Sequence, residues 1–111
     1  MTKLMLLINI MLLSLCSSIA FGADYFIDVR SNKEYVEDHI PGNLNIVHSD
    51  ILQGVKAHNI QTSDHIYIYC RSGKRASIAQ KTLNDAGYHN TTNLGGIEDA
   101  RKFLATYNTD K

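Results

Sequence analysis

The chain has 111 residues, 44% of them hydrophobic and 20% charged, with 11 basic side chains balancing 11 acidic ones. This is ordinary globular composition for one small domain, so disorder, collagen-like repeats and low complexity are excluded. A net charge of zero argues against a duplex DNA binder, which needs a basic face, and two cysteines are too few for a disulfide-stapled mini-protein or a thiolate zinc knuckle.

In chain order, Lys3 precedes a run of Leu, Met and Ile from Leu4 to Leu15, broken only by Asn9 and Ser14. The small residues Ser17, Ser18, Ala20, Gly22 and Ala23 follow. A positive start, a short apolar core and a small-residue exit are the anatomy of a secretory signal peptide. The run is too short for a stable membrane span, which takes about 20 apolar residues. Residues 1–22 are therefore expected to be a signal peptide, cleaved after Ala20 or Gly22, and residues 23–111 a single domain in the periplasm or outside the cell. Bulky Leu15 before Cys16 is wrong for lipid attachment. Cleavage removes Lys3 and Cys16, so acidic side chains then outnumber basic ones by one and Cys70 is the only thiol.

The remaining chain alternates strands and helices. Tyr25 to Val29 reads as a strand, Lys33 to His39 as a helix stopped by Ile40-Pro41-Gly42, and Leu44 to Val47 as a second strand. His48 or Ser49 then opens a helix carrying Ile51, Leu52 and Val55. The segment His65-Ile66-Tyr67-Ile68-Tyr69 is the clearest strand, with β-branched and aromatic residues throughout. A polar loop from Cys70 to Arg75 leads to a helix over Ala76 to Ala86, with Gly87 as its stop. His89 to Leu94 reads as a weak strand, Gly95-Gly96 as a turn, and Ile97 to Tyr107 as the last helix. Short strands alternating with helices of about ten residues imply an α/β fold with a largely parallel sheet. In such sheets ligands sit at the carboxyl ends of the strands.

Cys70 ends the best strand and opens the segment Cys70-Arg71-Ser72-Gly73-Lys74-Arg75. A lone thiol in an exported protein is either a buried, inert side chain or a reactive group. Neighbouring cations, a helix N-terminus and a ring of loop amides favour the thiolate, the nucleophilic form of cysteine. Gly73 lets the loop fold tightly, so that successive N–H groups point inward and cradle an anion. Cys70 is thus the candidate nucleophile, open to solvent at the mouth of the sheet. Arg71, Ser72, Gly73, Lys74 and Arg75 are the candidate substrate-binding residues. The ligand expected is a small anion with an electrophilic atom within reach of sulfur.

These motifs resemble the single-domain rhodaneses, the thiosulfate sulfurtransferases. Besides CRSGKR after HIYIYC, the resemblance rests on Phe26-Ile27-Asp28-Val29-Arg30, on Glu34-Tyr35 with His39-Ile40-Pro41-Gly42, and on Leu83, Gly87-Tyr88 and Leu94-Gly95-Gly96. It implies a rhodanese-like domain, a small, mostly parallel β-sheet flanked by helices. It also implies transfer of sulfane sulfur from thiosulfate or a similar small anionic donor, through a persulfide on Cys70. The acceptor is cyanide or a thiol, including a protein thiol. No cofactor, metal or nucleic acid is expected, and the chain is expected to be a monomer. The alternative is a non-catalytic rhodanese-like binding module; the presence of the cysteine favours the enzyme. Phosphatases of related fold place an arginine six positions after the cysteine, whereas Arg75 comes five after Cys70, which suits sulfur better than a phosphate oxyanion.

Outside the loop, Asp28 and Arg30 are expected to be structural. Asp28 would fix turn amides, and Arg30 would pair with a carboxylate such as Glu34 or Asp38. His39 reads as a partly buried, hydrogen-bonded turn residue, and the five histidines show no metal-ligand spacing.

Overall fold

The computed structural model describes residues 22–110. The segment read as a signal peptide lies outside the described residues apart from Gly22. Four strands, β1 (Asp24–Asp28), β2 (Leu44–Asn45), β3 (His65–Cys70) and β4 (Thr91–Gly96), form one sheet in the order β2-β1-β3-β4, and every pairing is parallel. The helices are α1 (Asn32–Glu37), α2 (Ile51–Ala57, after a 3-10 turn over His48–Asp50), α3 (Lys74–Asp85) and α4 (Ile97–Thr109). The fold is α/β, as the alternation implies.

Strand β3 organises the molecule because it pairs on both edges, with β1 and β4. Its side chains alternate between the two faces. Ile66, Ile68 and Cys70 point into the main core with Ile27, Val29, Ile51, Val55, Ala76, Ala79 and Leu83, under α2 and α3. Tyr69 points the other way, against Ile97 and Ala100 of α4, and Tyr67 stacks on Phe26 with ring centroids 4.6 Å apart. Leu83 is fully buried, so truncating it to alanine costs about 2–5 kcal/mol.

Most boundaries fall one or two residues from the sequence reading, and three of the differences have a clear local cause. β2 stops at Asn45 instead of Val47 because Val47, at φ −56°, already caps the 3-10 turn. Helix α3 starts at Lys74, not Ala76, because Gly73 in the left-handed region turns the chain sharply into it. Gly95-Gly96 is not a free turn but the end of β4, where Gly96 pairs with Cys70.

Candidate active site

The Cys70 loop is short. Only Arg71, Ser72 and Gly73 separate the last residue of β3 from the first of α3. Gly73 has φ +94°, a conformation open to glycine and strained for other residues. Its N–H donates to the Cys70 sulfur at 3.0 Å. The backbone N–H groups of Ala76, Ser72 and Arg75 also point to that sulfur. Burial pushes the Cys70 thiol up, but these amides together outweigh it and hold it below the usual thiol value. The loop and the first turn of α3 thus ring the sulfur with backbone amides, the arrangement on which the expected anion cradle depends.

One expectation is corrected. Cys70 is not open to solvent: it is 1% exposed and belongs to the main core. As the last inward-facing residue of a central strand, it places its sulfur at the floor of the amide cup. A reacting atom must enter the cup to reach it.

The cationic side chains of the loop diverge. Arg75 donates from both terminal nitrogens to Glu34, at 2.7 and 3.1 Å. The Glu34 carboxyl is held down to about 2, mainly by Arg75 and further by the Ser31 hydroxyl and amide. Ser31 and Glu34 also form the capping box of α1, each accepting from the other's backbone N–H. Arg71 lines a cleft of about 240 Å³ together with Arg30, Glu34, Glu37, Asp38 and Ile97. Lys74 lines a shallower cleft of about 540 Å³ on the other flank, with Ser72, Gly73, Ser77, Asn93 and Gly95. Ser72 and Lys74 are exposed and Gly73 is buried. The six candidate residues thus lie together around one cup, with Arg75 paired to Glu34 and also facing the Cys70 sulfur.

Outside the loop, Arg30 does not pair with the side chains of Glu34 or Asp38. It forms a buried ion pair with Asp28 at 2.8 Å and also donates to the Asp38 backbone carbonyl at 2.6 Å. Asp28 and Arg30 are two apart along an extended chain and share a face, which makes them the nearer partners. Asp28 also accepts from the Arg30 backbone N–H, the turn amide expected of it. The side chain of Asp38 is taken by Arg101 instead. His39 is exposed, not partly buried: its ring stacks on Tyr35 and its Nδ1 lies 2.9 Å from the Tyr35 carbonyl. Sequence reasoning missed Glu34 as the partner of Arg75, and missed Asn93, whose side chain reaches the Gly73 carbonyl at 3.0 Å.

A parallel sheet with a cysteine-initiated anion loop between its central strand and the next helix defines a class that comparison with known proteins makes specific. The family model described as Rhodanese-like domain matches residues 16–102, and the chain belongs to the rhodanese-like sulfurtransferase family. It is 29% identical over 79 residues to the Escherichia coli thiosulfate sulfurtransferase PspE, covering 71% of this chain and 76% of that protein. It is 35% identical over 77 residues to the thiosulfate:glutathione sulfurtransferase of Saccharomyces cerevisiae, covering 60% of this chain and 55% of that one. Against the putative sulfur carrier protein YrkF of Bacillus subtilis, at 34% identity, it covers 61% of this chain and spans only 36% of the relative. Among solved structures, a rhodanese with anions from E. coli superposes with a TM-score of 0.64 at 28% identity, covering 68% of this chain and 89% of that one.

Proposed function

We propose that the protein is a thiosulfate-type sulfurtransferase that carries sulfur on Cys70. The observation that carries this reading is the convergence of loop amides on the Cys70 sulfur, with Gly73 N–H at 3.0 Å. Such a cup stabilises a negative sulfur both before and after transfer, as preorganised donors do for developing charge. The Cys70 thiolate attacks the outer sulfur of the donor. The donor's S–S bond breaks, sulfite leaves with the bonding pair, and Cys70 becomes a persulfide. A cyanide ion or an acceptor thiolate then attacks the outer sulfur of that persulfide, and the Cys70 thiolate departs. The clefts beside Arg71 and Lys74 give a small dianion cationic flanks on its way into the cup.

The test is thiocyanate formation from thiosulfate and cyanide. Wild-type protein turns over and Cys70→Ser does not, while both unfold at similar denaturant concentration. Near-normal turnover by Cys70→Ser overturns the mechanism. A folded wild-type protein with no turnover supports the binding-module alternative. The composition of residues 1–22 supports export as part of the proposal. Recovery from cells of a chain that still begins at Met1 would contradict that part.

A further inference from the structure

Strand β4 is irregular at the place where it meets the loop. Ile68 pairs with Asn93 but Cys70 pairs with Gly96, so β4 takes three steps where β3 takes two. Bulges of this kind re-aim a strand beside a site. Here the bulge sets Gly95 at φ +93° and presses it against the loop. A Cβ on Gly73 would lie 3.3 Å from the Gly95 Cα, and one on Gly96 would meet the Arg71 carbonyl oxygen at 2.4 Å. The loop therefore rests on the bulge backbone to backbone.

One side chain joins the two. The Asn93 Oδ1 accepts from the Gly95 N–H at 2.8 Å, and its Nδ2 donates at 3.0 Å both to the Gly73 carbonyl and to the Ser77 hydroxyl. The same Gly73 carbonyl accepts the first backbone bond of α3, from Ser77 N–H at 2.9 Å. Gly73 is also the residue whose own N–H touches the sulfur. All three contacts of Asn93 thus go to the bulge, the loop and the first turn of the helix.

We propose that Asn93 is a positioning residue for Cys70: by tying the β4 bulge to Gly73, it sets the direction in which the loop amides point at the sulfur. Asn93 does not touch the sulfur and acts through Gly73. The inference builds on the reading of Cys70 as the nucleophile, and the test separates the two.

The rate of alkylation of Cys70 by iodoacetamide is measured against pH in the whole protein, for wild type, Asn93→Leu, Asn93→Thr and Ser77→Ala, with urea unfolding alongside. Threonine suits a strand, which safeguards folding should leucine fail. Both Asn93 variants are expected to raise the midpoint by about one pH unit, a tenfold loss of thiolate at any pH well below that midpoint. Ser77→Ala, which removes only the outermost bond, is expected to leave it unmoved. A folded Asn93 variant with the wild-type midpoint overturns the inference and leaves Cys70 as the nucleophile. A shift in Ser77→Ala as large as that in the Asn93 variants also overturns it. A wild-type midpoint equal to that of an ordinary free thiol sinks both.

Discussion

The Arg75 guanidinium and the Glu34 carboxylate clasp each other through two hydrogen bonds, joining the first turn of α3 to the first turn of α1. Both side chains are partly shielded, at 30% and 24% exposure. The Glu34 carboxyl falls from 4.5 to about 2 in the folded protein. A carboxyl depressed by folding stabilises the fold above its unfolded value, and that contribution is lost as pH falls toward its folded value. Glu34→Gln is expected to lower stability near neutral pH by about 1 kcal/mol, allowing for solvent screening. The gap between wild type and variant should close as pH falls from 4.5 toward 2. Urea unfolding at a series of pH values reads this directly, and a gap that stays constant with pH contradicts it.

The pair Asp28–Arg30 is more deeply buried, at 0% and 6% exposure. Removing one partner leaves the other charged and uncompensated in the core. Arg30→Leu is expected to destabilise the fold by about 3–5 kcal/mol. Replacing both residues with leucine is expected to cost less than that single change. A double variant clearly less stable than Arg30→Leu would show that the pair contributes net stability.

Gly96 illustrates a constraint of contact and not of backbone angle. Its φ of −91° suits any residue, yet a Cβ there would meet the Arg71 carbonyl oxygen at 2.4 Å. Gly96→Ala must push the loop off its seat. Overpacking of this kind costs about 1–3 kcal/mol, and Cys70 alkylation at neutral pH should fall in the folded variant as well. Unaltered alkylation would mean that the loop moves without disturbing its amides.

Much of this architecture was legible in the chain. HIYIYC carries its own strand signal, and a cysteine at its end followed by Arg71 to Arg75 marks the loop at the sheet's carboxyl edge whose amides turn to the sulfur. The start of α3 was not legible, because Lys74 and Arg75 occupy its first turn, where cations oppose the helix dipole. The Arg75 charge is balanced by partners outside the helix, Glu34 and the Cys70 sulfur, that no local window contains. Gly95-Gly96 reads as a turn for a similar reason: only its pairing with Cys70, 26 residues earlier in the chain, makes it strand. The Asp28–Arg30 pair could have been found from the spacing alone, since residues two apart along a chain that stays extended beyond the strand share a face.

Arg71 and Lys74 lie on opposite flanks of the cup, each at the wall of a cleft. In the proposed reaction, exposed cations there would steer and hold the anionic donor while contributing little to the fold. Arg71→Ala and Lys74→Ala are each expected to raise the KM for thiosulfate several-fold, increasingly so at low salt, with unfolding midpoints unchanged. A KM that moves in neither variant would mean that the amides alone bind the donor.

The most direct test of sulfur transfer through Cys70 is the mass of the Cys70 peptide after the protein is incubated with thiosulfate and freed of excess donor. The expected result is one added sulfur atom on Cys70, removed again by cyanide. A Cys70 of unchanged mass in folded protein that nevertheless produces thiocyanate would contradict it.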